Sequence, residues 1–278
     1  MNWTIIPGFG VAGNFTGHLE QAGESPDFVT VSTKDANAPK GIFPFYIPNL
    51  NHPYLANNPY SNDTIQLFNH TENHQIEPEV SILFEVTYQD SQIVCLQPIQ
   101  AFAHNDCSIR RPGAKKISEK KNWGADSKGI AQTGIALDNL EANGTLDRFK
   151  LGCYLLRDGV LQKYGETSWV KDYSYFHHTL LDWLVEKLNH QQDHGPLENV
   201  HQYLQAVDFP NQICISIGAT RYTELGETTF LQTGDTSCVV LYDAHQYTES
   251  DIEQHLLDGR TSLPNASVLR QQVIGPTA

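Results

Sequence analysis

Hydrophobic and polar positions alternate from Arg148 to Leu156, with Phe149, Leu151, Cys153 and Leu155 on one face, the period-two pattern of a half-buried strand. The run meets Arg157-Asp158-Gly159 and resumes as Val160-Leu161-Gln162; an Asp-Gly between two such runs predicts a hairpin. Val80–Tyr88 and Gln92–Leu96 read as a second pair of strands, turning at Gln89-Asp90-Ser91. Gln212–Ile217 and Ser237–Tyr242 read as buried strands, the latter introduced by the turn pair Gly234-Asp235. Phe28–Val31 has the composition of a short strand.

Helical spacing is clearest in Phe176, Leu180, Trp183, Leu184 and Leu188, with Asp172 or Ser174 placed to cap. That stripe is core packing. A weaker helix is expected over Leu197–Val207, with Val200, Leu204 and Val207 inward, and a short one over Ile252–Leu257. Pro39, Pro44, Pro48, Pro53 and Pro59 forbid a long helix early in the chain. Residues 1–70 therefore read as a small, loop-rich region that must lean on something larger, and 71–278 as the main domain. Strands outnumber helices and the helices fall between strands, which points to an α+β or mixed-β class.

Composition narrows the function. The 278 residues carry a formal net charge of -14, which opposes phosphate neutralisation and hence nucleic-acid binding. The one basic concentration, Lys115, Lys116, Lys120 and Lys121 after Arg110 and Arg111, reads best as a solvated loop face. Its sharper alternative is an attractor for an anionic substrate. The cysteines, Cys95, Cys107, Cys153, Cys214 and Cys238, are odd in number and form no Cys-x-x-Cys pair, so neither a disulfide framework nor a thiolate zinc site is expected. The opening MNWTIIPGFG lacks a basic, then apolar, leader pattern, and no stretch is long and apolar enough to span a bilayer. A soluble, cytoplasmic protein without a membrane partner is the expectation.

Three constellations could carry chemistry. Glu77-Pro78-Glu79 sets two carboxylates on the same face of an extended segment, with Cα atoms roughly 6.5–7 Å apart. Such a pair repels unless a cation or proton lies between; a solvated acidic edge is the plainer alternative. Asp106 follows the apolar Ala101-Phe102-Ala103 and, if buried, needs a partner; hard oxygen ligands favour Mg²⁺, Mn²⁺ or Ca²⁺. A turn or helix cap is the alternative for it. Gly13-Asn14-Phe15-Thr16-Gly17-His18-Leu19-Glu20 places a histidine beside a carboxylate, a pairing that can move a proton but is common in a chain with twelve histidines.

Their order along the chain resembles the fumarylacetoacetate hydrolase family: Asn14-Phe15 to His18, then Glu77 and Glu79, then Asn105 to Arg110, then Trp123 and Lys128. The hairpin at Asp158-Gly159, Gly218-Ala219-Thr220 and Phe230-Leu231 before Gly234-Asp235 fit as well, so the likeness spans residues 10–243. The resemblance implies a mixed β-roll of that family's C-terminal-domain type and a homodimer, with Mg²⁺ (or Mn²⁺ or Ca²⁺) held by Glu77, Glu79 and Asp106. It assigns Lys128 and Arg110 to the oxygens of an oxoacid substrate, Thr220 to substrate binding, and His18 to a lid with Glu20 beside it. Glu20 stands in because Gln21 occupies the family's usual glutamate position, and Ala12 replaces a usual glycine. The implied activity is hydrolase or lyase cleavage of a C–C bond in a small acylpyruvate or β-dicarbonyl oxoacid. The alternatives are an oxaloacetate-type decarboxylase or isomerase with the same enolate chemistry, and a non-catalytic metal-binding scaffold.

Overall fold

The computed structural model describes residues 1–111 and 113–276, so Pro112 and the last two residues of the expected main domain lie outside it. The N-terminal region holds β1 (Gly8–Ala12), α1 (His18–Gln21), β2 (Gly41–Tyr46), β3 (Tyr60–Ser61) and β4 (Thr64–Gln66). There follow β5 (His74–Gln75), β6 (Pro78–Gln89), β7 (Gln92–Asn105), β8 (Ser108–Ile109), β9 (Lys128–Ile130) and β10 (Ile135–Ala136). The second half contains β11 (Phe149–Arg157), β12 (Val160–Trp169), α2 (His177–His190), α3 (Val200–Ala206) and β13 (Gln212–Ala219). It closes with α4 (Glu224–Thr228), β14 (Thr236–Asp243), α5 (Glu249–Leu257) and β15 (Ala266–Ile274).

The strands make a large mixed sheet ordered β2-β1-β13-β6-β7-β9-β3, with β10 also on β7, a second sheet ordered β12-β11-β14-β15-β4, and a small β5-β8 pair. This is the α+β mixed roll that the sequence predicts. The first 70 residues lean on the rest through strands: β1 pairs in parallel with β13, β3 with β9 and β4 with β15. One apolar core runs through both sheets and includes Val80 and Ile82 of β6, Leu151 of β11, Val239 of β14 and Leu269 of β15. Among the described residues no helix is long and apolar enough to cross a membrane.

The β6–β7 hairpin decides where the acidic residues go. It turns through Asp90 and Ser91, both at positive φ, and pairs Gln89 with Gln92. Two bulges, at Val94 and at Ile99, each add one residue to β7. Without them Glu77 would lie level with His104; with them it lies level with Asp106, whose N–H donates to the Glu77 carbonyl at 2.9 Å. The second bulge also accommodates Pro98, which lacks a ladder donor, and so lets β7 run on to Asn105, well beyond the expected Leu96.

Other differences from the expected elements have local causes. Phe28 ends a 3-10 turn, Ser25–Phe28, with Pro26 near its start, because proline presets the dihedral of a first helical position. The main helix starts at His177 and has no side-chain cap from Asp172 or Ser174. The Ser174 and Tyr175 N–H groups instead bond the carbonyl and side-chain oxygens of Asn14. Leu180, Leu184 and Leu188 of α2 and Val200 and Leu204 of α3 are buried as the spacing predicts.

Glu198, just ahead of α3, fastens the 117–120 turn: its Oε1 accepts from Ser118 Oγ at 2.8 Å and from Tyr203 Oη at 3.3 Å, and its Oε2 is buried without a hydrogen-bond partner. Burial pushes this carboxyl from 4.5 up to about 7. The unfolded chain releases the proton near 4.5 while the folded chain keeps it, so stability falls as pH rises from 4.5 to 7. Glu198→Gln should flatten that slope. Melts at pH 5 and pH 8 should show the wild type losing up to about 3 kcal/mol more than the variant.

Candidate functional site

Glu77 and Glu79 lie at the start of β6, and Asp106 follows the end of the adjacent β7. The three are buried, with one oxygen from each lying within 4.8 Å of the others. Asn105 holds this corner. Its Oδ1 accepts from the Glu77 N–H at 3.2 Å, while its Nδ2 donates to Ser237 Oγ and Gln271 Oε1 of the second sheet, each at 3.2 Å. The carboxylates thus ride on paired strands that are cross-braced to the opposite sheet.

Three basic side chains converge on them, and a fourth stands on the neighbouring Glu24. Lys121 Nζ bridges Glu77 Oε2 and Asp106 Oδ2, at 2.6 Å from each. Lys128, wholly buried on β9, pairs through Nζ with Asp106 Oδ1. Arg110 sets Nη2 2.8 Å from Glu77 Oε1, a close ion pair without hydrogen-bond geometry, and donates from Nη1 to Glu24 at 2.9 Å. It also donates to Tyr222 Oη at 2.9 Å and, through Nε, to Gln75. Lys120 completes the set with a 2.9 Å bond to Glu24. Arg110 as placed orders the acids and has little of its fork left for a ligand.

The charges sort accordingly. Burial would raise Asp106 and Glu77, but Lys121, with Lys128 for Asp106 and Arg110 for Glu77, holds each below its ordinary value. Glu24 is held at about 2: burial opposes ionisation, and the Arg110 and Lys120 charges outweigh it. Glu79 goes the other way, pushed well up by burial and by the Asp106 charge. Ser216 Oγ and the Gly218 N–H both donate to its Oε2, which leaves Oε1 for the proton. Burial also disfavours the Lys121 charge, yet Asp106 and Glu77 raise its pKa. Lys128 is lowered by burial despite its Asp106 partner.

The N-terminal segment roofs this cluster. Asn14 pins it, donating to the Tyr175 and Ile217 carbonyls at 3.0 and 2.8 Å. His18 is buried on α1 with Nδ1 2.9 Å from the Thr220 carbonyl. A carbonyl only accepts, so Nδ1 carries the proton and Nε2 keeps its lone pair. Burial keeps this imidazole neutral, with Arg110 and Lys121 adding to the effect. His18, Glu24, Glu77, Glu79 and Lys121 line a cavity of only about 10 Å³, at the lower limit for one water.

The structure therefore brings together Glu77, Glu79, Asp106, Lys128, Arg110, His18 and the Thr220 backbone. It does not bring in Glu20, which is exposed on α1; the N-terminal carboxylate that lines the cavity with His18, beside Glu77 and Glu79, is Glu24, delivered by the turn after the helix. The basic run is not a solvated face throughout, since Lys120 and Lys121 are buried and only Lys115 is fully outside. Sequence reasoning also passes over His104, level with Glu79 on β7, buried with neither ring nitrogen hydrogen-bonded and Nε2 3.9 Å from Asp106. Its one signal is its place two residues before the aspartate.

Residues 24–273 match the model of a family described as "Family of unknown function (DUF5718)". No curated protein matches the sequence. Among solved structures, an HpcE protein from Mycobacterium smegmatis shares 14% identity at a TM-score of 0.56, over 98% of this chain and 76% of that one. A 2-keto-3-deoxy-D-arabinonate dehydratase shares 12% at 0.51, over 98% and 74%. A 5-carboxymethyl-2-hydroxymuconate delta-isomerase from Mycobacterium smegmatis also shares 12% at 0.51, over 98% and 80%. At these identities the likeness is one of fold, and the fold is fumarylacetoacetate hydrolase-like.

Arg110 is the test of this electrostatic frame. Arg110→Met removes one of the two basic partners of Glu24 and of Glu77 and leaves only Lys120 and Lys121, which should destabilise the protein by about 3 kcal/mol, read from urea unfolding.

Proposed function

We propose that this chain, which belongs to the family of unknown function DUF5718, is a metal-dependent enzyme acting on a small 2-oxoacid or β-dicarbonyl compound. The observation that carries this reading is the buried convergence of Glu77, Glu79 and Asp106 within 4.8 Å. Three carboxylates from rigid, paired strands suit a hard divalent cation such as Mg²⁺ or Mn²⁺, and Glu77, Glu79 and Asp106 would be its ligands. Glu79 would give up its proton on binding, as carboxylate ligands must. A divalent ion bound there would supply Lewis-acid polarisation of a chelated dicarbonyl.

The chain's own residues supply the rest. Lys128, fixed by Asp106 and buried, would face the oxygen on which enolate charge develops. Arg110 would meet a substrate carboxylate by exchanging one of its present partners. His18, through the free Nε2, would take a proton from an attacking water, with Glu24 as the neighbouring carboxylate in place of Glu20. Thr220 sets the imidazole orientation through its carbonyl and closes one side of the site. A 10 Å³ cavity admits no oxoacid, so residues 13–24 would lift for entry and close to exclude bulk water. In this reading residues 1–70 are the lid-bearing region and 71–278 the β-roll, in a cytoplasmic homodimer.

The finer proposal is C–C bond hydrolysis. Oxaloacetate decarboxylation or isomerisation would use the same lysine and arginine without the hydrolytic water, and product analysis separates them.

Two measurements test this reading. Millimolar Mn²⁺ or Mg²⁺ should raise the melting temperature, and Glu77→Gln or Asp106→Asn should abolish the rise; the absence of any metal-dependent shift in the wild type and in every site variant sinks the metal centre. With acylpyruvates and oxaloacetate followed by enol absorbance, His18→Ala should lower turnover roughly 100-fold or more. Unchanged hydrolysis in that variant would remove His18 from the mechanism.

A further inference from the structure

The ammonium of Lys121 holds two of the three acidic residues as a shared cation would. It lies 2.6 Å from both Glu77 Oε2 and Asp106 Oδ2, and the remaining oxygens of those residues face Arg110 and Lys128. All four oxygens of the Glu77–Asp106 pair are thus already matched to positive charge. Any new bond from these carboxylates to a cation must come at the cost of an existing ion pair.

Around the site Arg110, Lys120, Lys121 and Lys128 stand against Glu24, Glu77 and Asp106, with Asp27 also paired to Lys120 and Glu79 holding its proton. A divalent ion would bring two further positive charges into the same dry volume; the proton lost from Glu79 offsets one, and the other is uncompensated unless a base withdraws. Lys121 is the base best placed to do so. Arg110 is fastened to Glu24, Gln75 and Tyr222 as well as Glu77, and Lys128 sits on a strand in the middle of the fold with no exposure. Lys121 instead stands at the end of the 117–120 turn, lines the small cavity under His18 and Leu19, and rests its ammonium over the Phe43 ring at 5.1 Å. A flexible four-carbon stem on a turn can swing where a strand residue cannot.

We propose that Lys121 is a tethered competitor for the cation position: its ammonium bridges Glu77 and Asp106, and a divalent ion binds by displacing it towards the lid. The inference rests on the metal reading above and adds a regulation of that site. Lys121 would keep the acids matched until the ion arrives, and would make ion affinity depend on where the 117–121 segment sits. It also gives the displaced ammonium somewhere to act, since the cavity it enters is the one an anionic substrate would fill.

The test compares chelator-treated wild type with Lys121→Met by Mn²⁺ titration, using calorimetry and electron paramagnetic resonance. The variant should bind Mn²⁺ at least about tenfold more tightly, because the competitor is gone. Equal or weaker binding in Lys121→Met, with the wild type binding Mn²⁺, overturns the competition and leaves the metal reading intact. If neither protein binds Mn²⁺, the metal reading fails and this inference falls with it. Because the variant leaves repelling acids and could fold poorly, a second readout uses the wild type alone. Reductive methylation, read by peptide mass spectrometry, should leave Lys121 protected in chelator-treated protein and label it several-fold faster with Mg²⁺ present. Equal labelling in the two conditions would overturn the displacement.

Discussion

Three ionised carboxylates, Glu24, Glu77 and Asp106, and the four basic groups paired with them, taken out of water together beside a protonated Glu79, are the constraint to which the rest of this structure answers. Each charge alone would cost several kcal/mol to bury; arranged as alternating neighbours, they satisfy one another. The arrangement demands placement from five stretches of chain: the turn holding Glu24, the β6 start, the β7 end with Arg110 beyond it, the 120–121 turn, and β9. The bulged register of β7, the Asn105 brace and the Glu198–Ser118 bond can each be read as a device that brings one of those stretches into line.

The framework was legible wherever local rules decide. The two hairpins and the α2 stripe follow from periodicity and turn residues alone, and Glu77 and Glu79 pair by spacing because an extended segment sends alternate side chains to one face, whereas Asp106 joins them only through the family resemblance. What escaped was set by tertiary context. Nothing local distinguishes Lys121 from Lys115: both sit in the same basic run, yet one is buried between two acids and the other is exposed. Glu20 sits nearer than Glu24 to His18 in sequence, but a turn of α1 points it outward, and the chain returns inward only at Glu24. The α2 start moved because Asn14, 160 residues away, takes the N–H groups that a cap would have used. Long-range hydrogen bonds of that kind leave no mark on either segment.

The roof and the cluster are one electrostatic unit. Glu24 belongs to the segment that covers the site, yet its partners, Arg110 and Lys120, belong to the floor and wall. Lifting the roof therefore separates paired charges, and an anion entering from solvent would offer the bases a replacement for the one they lose. In the proposed reading, closure and substrate charge would be linked in this way.

The neighbour of β1 in the large sheet is β13, joined to it in parallel from Gly8 opposite Cys214 to Gly10 opposite Ser216. A ribosome must therefore add some two hundred residues before the first strand meets that partner. Until then β1 and β2 can form only an exposed two-stranded ribbon, marginal in water and prone to pair with whatever edge is near. Such wiring makes for slow, late-closing assembly, in which a nascent chain halted before β13 emerges is the species most in need of a chaperone.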